Sequence, residues 1–256
     1  MLKFYLTTIL FILCLVLFYT LSLLPFMKLF LLVLSCVIYI GILIWSSSYI
    51  GSKFYVNSIN KCNNSLNHIA ITFDDGPDSD NTYKILELLE KYNSKATFFI
   101  IGAKADKNTE LMRAINNHGH TIGNHSYNHL NRFPLQLPKH IIAEIIKTNK
   151  VIKEITNKEN IYFRPPFGVT NPLIAIAIRN MGLRVIGWSI RSFDTMGEDT
   201  HVVVNRIKKK VRVGDIILLH ENSKNILEIL NNLLEYLESV NIKSVSIEEL
   251  LLKDKC

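Results

Sequence analysis

Charge is almost absent from the first 50 residues of this 256-residue chain, where Lys3 and Lys28 are the only charged side chains. Two apolar runs fill this stretch, at about 4–26 and 29–50, and each is long enough to cross a bilayer as a helix of about 20 residues. Because only Met27 and Lys28 separate them, the runs predict a transmembrane helical hairpin within residues 1–52. A wholly soluble chain would have to bury both runs in one small core.

A signal-peptide cleavage pattern is also missing. The first apolar run is longer than a signal-peptide core, and no small-residue pattern follows it. We therefore favour a hairpin that stays in the membrane over a cleaved signal peptide followed by one anchor. Lys3 and Lys53 flank the hairpin ends and favour the cytoplasmic side weakly, but so few charges do not decide the side.

Cysteine is scarce and is not spaced to bind a metal. Cys14 and Cys36 fall in the apolar runs, whereas Cys62 and Cys256 are far apart in the sequence. The net charge of +7 comes mostly from scattered basic residues. Since no nucleic-acid reading motif accompanies them, no nucleic-acid partner is predicted.

A polar linker at 53–67 leads into a domain at 68–256 in which apolar runs alternate with helix-period segments. Such alternation predicts parallel strands joined by helical crossovers. About seven strands predict an α/β fold with a closed or nearly closed (β/α) barrel, with a doubly wound open sheet as the second candidate. The predicted strands lie near 68–73, 95–101, 120–124, 161–164, 184–189, 215–220 and 241–246.

Polar side chains follow the ends of these predicted strands. Residues just past the carboxyl ends of parallel strands meet at one face of a barrel, so five separate loops are expected to deliver their side chains to one place. The side chains concerned are Asp74, Asp75, His125, His129, Arg164, Asp194 and His220.

Residue types and spacing within this set indicate a metal site. His125 and His129 are four residues apart, a spacing that suits two imidazole ligands on one ion. With a carboxylate from another strand end they form a His-His-Asp set that leaves positions open for water and substrate. Of the adjacent Asp74 and Asp75, one can bind the cation while the other handles protons, although a helix N-cap would explain the same pair.

Two further segments allow more than one interpretation. Arg164 precedes Pro165 and Pro166, a stiff turn that can direct a side chain or simply form a surface loop. His220 ends an apolar strand, where a histidine is either part of the core or a candidate acid.

Five ordered motifs resemble those of the polysaccharide deacetylases, the NodB homology group of carbohydrate esterase family 4, over about residues 68–250. They read TFDDGP at 72–77, HSYNH at 125–129, RPPFG at 164–168, WSIRSFDT at 188–195 and LLH at 218–220.

The resemblance implies a distorted (β/α) barrel with fewer than eight βα units. It also implies a divalent metal, most often Zn²⁺, held by Asp75, His125 and His129. It further implies that Asp74 is the general base and His220 the general acid. Arg164 would then orient Asp74, Asp194 would pair with His220, and the backbone N–H of Phe167 would bind the oxyanion. Co²⁺, Ni²⁺ and Fe²⁺ also suit such a ligand set.

Phe167 stands where tyrosine is frequent in the family, but only its backbone is required in the implied role, so little effect is expected. Two further positions depart from the family pattern. Arg191 stands where an acidic residue is frequent, and Thr195 stands where tryptophan is frequent. These departures change the expected sugar groove and leave the substrate open.

We therefore expect a membrane-bound hydrolase that removes N-acetyl groups from a polysaccharide, peptidoglycan or a lipid-linked saccharide. An O-acetyl esterase and a catalytically inactive glycan-binding membrane protein are the alternatives.

Overall fold

The structure, a computed structural model, describes residues 1–63 and 66–252. The helices are α1 (Leu2–Thr20), α2 (Pro25–Ser48), α3 (Thr82–Lys91), α4 (Gly102–Lys107), α5 (Thr109–Asn117), α6 (Pro138–Thr156), α7 (Pro172–Ile178), α8 (Thr200–Lys210), α9 (Ile226–Ser239) and α10 (Ile247–Leu252). The strands are β1 (Ser58–Ile59), β2 (His68–Gly76), β3 (Ala96–Ile100), β4 (Thr121–Asn124), β5 (Tyr162–Phe163), β6 (Arg184–Ile186), β7 (Ile190–Arg191), β8 (Ile216–His220) and β9 (Lys243–Ser244).

The strands form one parallel sheet that curls into a half-barrel. Their order is β1-β6-β5-β4-β3-β2-β8-β7, with β9 beside the start of β2. All seven predicted strand segments contain a strand, so the predicted distorted (β/α) barrel is confirmed. The sheet therefore presents the carboxyl ends of its strands at one face, which is called the catalytic face below.

Two strands were not predicted. Strand β1 lies inside the predicted linker and pairs with Val185 and Ile186 of β6. Strand β7 pairs with β8. Each is only two residues long, too short to show the alternation from which strands are predicted. Asn64 and Ser65 of the predicted linker, and the domain end with Cys256, lie outside the described residues.

The main core lies between the sheet and the helices outside it. Phe73 of β2 and Phe98 of β3 are fully buried, and their rings stack with centroids 5.1 Å apart. Helix α9 contributes Leu230 and Leu233 to the same core. Burial of these apolar side chains stabilises the half-barrel and holds the strand ends in place.

The N-terminal helices α1 and α2 form an antiparallel pair. The Thr8 and Tyr39 hydroxyls are 2.8 Å apart, and the rings of Phe11 and Tyr39 stack at 4.3 Å. Both helices are long and apolar enough to cross a membrane, with mean hydropathies of 2.2 and 2.6. The turn lies at residues 21–24, earlier than predicted, because Pro25 begins α2, where its missing N–H costs no hydrogen bond.

Candidate active site

Asp75, His125 and His129 converge at the catalytic face. Their candidate ligand atoms lie within 4.8 Å of one another. His125 Nε2 is 3.7 Å and His129 Nε2 is 3.5 Å from Asp75 Oδ1. This oxygen is buried and has no hydrogen-bond partner. A buried carboxylate oxygen facing two imidazoles fits a divalent cation, which would be its missing partner.

The two histidines are prepared as neutral ligands. His125 Nδ1 lies 2.8 Å from the carbonyl oxygen of Arg164, which only accepts, so Nδ1 carries the proton and Nε2 offers its lone pair to the site. Burial lowers the pKa of His129 to about 4, with a further lowering from His125 and an opposing effect from the nearby carboxylates. A neutral imidazole is the form that binds a metal.

The turn that carries the histidines is held by side chains that the sequence analysis missed. The Ser126 N–H donates to Asn124 Oδ1 at 2.8 Å, and the His129 N–H donates to Ser126 Oγ at 3.1 Å. Glu144 of α6 accepts from the Tyr127 and Asn128 N–H groups. Glu144 reaches the turn from a distant helix, and no local pattern indicates this contact.

Arg164 and Asp74 form a buried ion pair beside the ligand cluster. Arg164 is fully buried, and its Nη1 donates to Asp74 Oδ1 at 2.7 Å and to the Thr72 hydroxyl at 2.8 Å. The backbone carbonyls of Ile186 and Gly187 accept the other guanidinium hydrogen bonds. Burial lowers the pKa of Arg164, which Asp74 opposes. The guanidinium therefore has partners around it and fixes the orientation of one Asp74 oxygen.

The other oxygen of Asp74 points towards the ligand cluster. Asp74 Oδ2 lies 3.6 Å from His125 Nε2. The two adjacent aspartates therefore have different surroundings, with Asp74 tied to Arg164 and Asp75 facing both histidines. Asp75 adopts a left-handed backbone conformation with φ of 69°, and Lys104 Nζ donates to its carbonyl oxygen at 2.7 Å.

His220 and Asp194 form a second pair. His220 Nδ1 is 2.9 Å from Asp194 Oδ1, and the His220 N–H donates to Asp194 Oδ2 at 2.8 Å. Burial lowers the pKa of His220, but the hydrogen bond and charge of Asp194, together with Asp74 and Asp75, raise it further than burial lowers it. The histidine therefore stays protonated to a higher pH than a free imidazole and can donate a proton from Nε2.

Phe167 lies in a tight turn at the edge of the cluster. Its φ is 61°, and its ring centroid is 4.7 Å from that of His129. At Gly168, with φ of +67°, an added Cβ would lie 2.2 Å from the Trp188 ring. A glycine is therefore required for the turn that presents Phe167.

Glu221 is a further buried group that sequence reasoning missed. It follows His220, and its carboxylate is hydrogen-bonded to the Thr82 hydroxyl. Burial raises the pKa of Glu221 to about 8. A Cβ at position 76 would lie 1.4 Å from Glu221 Oε1, which explains the glycine after the two aspartates.

Arg191 and Thr195, two of the departures from the family pattern, lie in strand β7 and shortly after it. Arg191 is exposed, and its guanidinium carbon lies 4.9 Å from the ring centroid of Phe193. Arg206 of α8 lies 5.4 Å from the same ring and is paired with Glu198. This part of the chain thus presents an aromatic ring between two cations.

Comparison with known proteins agrees with this geometry. Residues 61–186 match the polysaccharide deacetylase family. A peptidoglycan-N-acetylglucosamine deacetylase of Bacillus cereus is 34% identical over 188 residues, which cover 72% of this chain and 87% of that protein. The peptidoglycan-N-acetylglucosamine deacetylase PgdA of Listeria monocytogenes is 32% identical over 71% of this chain, which spans only 38% of that relative.

A solved structure with the same fold is a mutant of a Bacillus anthracis pseudoenzyme of carbohydrate esterase family 4 in which enzymatic activity is restored. It has a TM-score of 0.70 and 28% identity, and the match covers 76% of this chain and 71% of that one. The chain therefore belongs to the polysaccharide deacetylase family, whose members are hydrolases acting on amide bonds of N-acetylated sugars.

Proposed function

We propose that this protein is a metal-dependent deacetylase that removes N-acetyl groups from the sugars of a polysaccharide, peptidoglycan or glycolipid. The observation that carries the proposal is the buried Asp75 Oδ1, which faces two imidazole nitrogens and has no hydrogen-bond partner. Family membership supports the reaction class, and the names of the relatives support an N-acetylated glycan as substrate.

Asp75, His125 and His129 would hold the metal. A divalent ion bound there polarises the acetamido carbonyl and lowers the pKa of water. Zn²⁺ is the first candidate for a site of two imidazoles and one carboxylate, and Co²⁺, Ni²⁺ and Fe²⁺ also suit these ligands.

Asp74 acts as the general base in this proposal. Arg164 binds one carboxylate oxygen and leaves Oδ2 directed at the ligand cluster. Oδ2 takes a proton from the attacking water while the new C–O bond forms at the acetamido carbon. Arg164 therefore acts through Asp74, as a positioning residue.

His220 acts as the general acid. As the C–N bond breaks, Nε2 donates its proton to the departing amine, and acetate is the other product. Asp194 holds Nδ1 and so determines the orientation of the ring and favours its protonated form. The backbone N–H of Phe167 would stabilise the oxyanion, because the stiff turn at Pro165–Gly168 holds this N–H group at the edge of the ligand cluster.

A glycan-binding protein without activity is the second candidate. It is favoured by the pseudoenzyme among the structures that share this fold. The presence of Asp74, Asp75, both histidines and His220 in one cluster supports catalysis over this alternative. An O-acetyl esterase would use the same residues, and analysis of the released sugar as amine or alcohol separates the two.

We also propose that α1 and α2 anchor the protein in a membrane as a hairpin. At 1.5 Å per residue, the 24 residues of α2 extend about 36 Å, more than the roughly 30 Å of a hydrocarbon core. Cys62 is disulfide-bonded, which favours an oxidising compartment for the catalytic domain. The substrate would then be a glycan or lipid-linked saccharide outside the cytoplasm.

Two variants test the catalytic proposal. Asp75→Ala should lose both bound metal and acetate release, whereas His220→Ala should keep the metal and lose at least about a hundredfold in turnover. Metal content by elemental analysis and acetate release from N-acetylglucosamine oligomers are measured on the same preparations. Unchanged turnover in His220→Ala would remove His220 from the mechanism.

A further inference from the structure

The hairpin is attached to the catalytic face of the half-barrel. Ser47, near the end of α2, donates from Oγ to the Thr170 carbonyl at 2.7 Å, and the Thr170 N–H donates to the Ser47 carbonyl at 3.1 Å. Ile50 lies against Gly187, where an added Cβ would be 3.0 Å from Ile50 Cγ2. Thr170 and Gly187 follow β5 and β6, so this attachment is on the same face as the candidate active site.

The position of the attachment along α2 indicates the level of a membrane surface. Twenty residues separate Pro25 from Trp45, which corresponds to about 30 Å of helix and one hydrocarbon thickness. Trp45 and Tyr49 are 59% and 50% exposed, with ring centroids 5.7 Å apart. Exposed aromatic rings at this depth are typical of the membrane–water interface. Ser47 lies between them, so Thr170 lies at the interface.

The candidate active site is close to that level. Phe167 is three residues before Thr170, so their Cα atoms are at most about 11 Å apart. The Phe167 ring contacts that of His129, a candidate metal ligand. The metal cluster is therefore within roughly 20 Å of the interface.

A loop beside the attachment exposes leucines. Residues 131–140, called the docking loop here, follow the histidine turn and include the first three residues of α6, and Leu135 and Leu137 are 79% and 56% exposed. Asn171, next to Thr170, donates a hydrogen bond from its side chain to the Pro134 carbonyl in this loop. The docking loop is thus held beside the end of the hairpin.

Positive charge surrounds the same region. The chain has no aspartate or glutamate in 1–73, 111–143 or 160–193, the segments that supply the hairpin, the docking loop and α7. The next acid after the loop, Glu144, is engaged by the Tyr127 and Asn128 N–H groups. Lysine and arginine side chains near an anionic bilayer surface are attracted to it. The exposed cations of these segments near the hairpin base or in the loop are Lys3, Lys53, Arg132, Lys139 and Arg179.

We propose that the docking loop, together with the cations at the hairpin base, binds an anionic lipid bilayer surface and so presents the active site to saccharides attached to that surface by a lipid. The partner of this surface is the lipid bilayer, because apolar and basic side chains surround the point where the hairpin would leave the bilayer. The proposal rests on the membrane anchor and reaction proposed above, and it deepens them by placing the substrate at the bilayer.

The test uses the full chain in nanodiscs of phosphatidylcholine with phosphatidylglycerol. The variant Leu135→Asp/Leu137→Asp is compared with Val240→Asp, which changes a 41% exposed valine at the end of α9, on the side away from the catalytic face. Hydrogen exchange of residues 131–140 reports the contact. The N-acetylglucosamine tetramer, free or attached to a lipid in the same nanodisc, reports turnover.

The wild type and Val240→Asp should show slower exchange in the docking loop in nanodiscs than in detergent, and the double variant should not. The double variant should lose about tenfold in turnover of the lipid-attached tetramer, with turnover of the free tetramer unchanged. Equal exchange in nanodiscs and detergent for the wild type, or equal losses on both substrates, would overturn the docking surface. Failure of the wild type to deacetylate either tetramer would contradict the proposed reaction, while the exchange measurement would still decide the docking.

Discussion

At the scale of single residues, the catalytic face separates the tasks of two adjacent aspartates. Asp74 Oδ1 accepts a hydrogen bond from the fully buried Arg164. Asp75 Oδ1, in contrast, has no hydrogen-bond partner. The sequence predicts this pair at a strand end, and the structure brings it together with His125 and His129. The assignment of base and ligand stays a proposal that variants can test.

Replacing Arg164 tests the positioning of the base. Arg164→Met removes the partner of Asp74 Oδ1 and leaves a buried carboxylate unpaired, so turnover should fall about a hundredfold or more. Bound metal should remain, because no ligand is changed. Since loss of a buried partner also lowers stability, thermal unfolding is measured alongside, with Arg113→Met, an exposed arginine of α5, as the control. Full turnover in a folded Arg164→Met protein would contradict the role.

Asp194→Asn tests the histidine pair through pH. Asp194 raises the pKa of His220, and the acid must be protonated to act, so turnover is lost as pH rises through that pKa. Removing the negative charge lowers the pKa of His220, so the alkaline limb of the rate profile should move to lower pH. An alkaline limb at the same pH in both proteins, measured with the same metal, would exclude His220 as the group that titrates there.

The local sequence could not reveal which other side chains hold these residues in place. Glu144 holds the histidine turn from α6, and Lys104 holds the Asp75 carbonyl from α4. Both contacts depend on how helices pack on the sheet, which no short motif records. The motif residues themselves were predictable because each follows a strand end, and parallel strands bring their ends together.

At the scale of elements, the long buried strands and amphipathic helices were predictable, but the two-residue strands β1 and β7 were not. Strands β2, β3 and β8 are at least five residues long and nearly fully buried, as continuous apolar runs indicate. Strand β1 has only two residues in a polar stretch, and its pairing with β6 depends on where the hairpin places it. Whether such short strands form depends on tertiary contacts and not on the local sequence.

The turn that carries Phe167 can be tested by a pair of glycine substitutions. Gly168 and Gly182 both have φ near +65°, but a Cβ meets the Trp188 ring only at Gly168 and meets nothing within 4 Å at Gly182. Gly182→Ala should cost about 1–2 kcal/mol of unfolding free energy from the left-handed backbone. Gly168→Ala should cost about 1–3 kcal/mol more from overpacking and should also reduce turnover. Equal unfolding free energies would show that Trp188 does not confine this turn.

At the scale of the whole molecule, the two apolar N-terminal helices are attached to the half-barrel through the face that carries the candidate site. Hydrogen bonds between Ser47 and Thr170 make this attachment direct. The apolar runs predicted the hairpin, but the sequence contained no signal for the face on which it is attached, because that depends on contacts across more than 100 residues.

The side of the membrane on which the domain lies can be measured in intact cells. The disulfide at Cys62 favours the outer side, so a membrane-impermeant amine reagent should label exposed domain lysines such as Lys210, at the end of α8, without permeabilisation. Labelling that requires permeabilisation would place the domain in the cytoplasm. A cytoplasmic marker protein in the same cells serves as the control.

The central claim is that the Asp75, His125 and His129 cluster binds a metal that deacetylation requires. The most direct measurement is acetate release by the purified full chain from N-acetylglucosamine oligomers and peptidoglycan, before chelation, after chelation and after Zn²⁺ is added back. The account predicts release that chelation abolishes and Zn²⁺ restores, with none from Asp75→Ala in any condition. Release that survives complete removal of metal, or a protein that binds no metal, would contradict it.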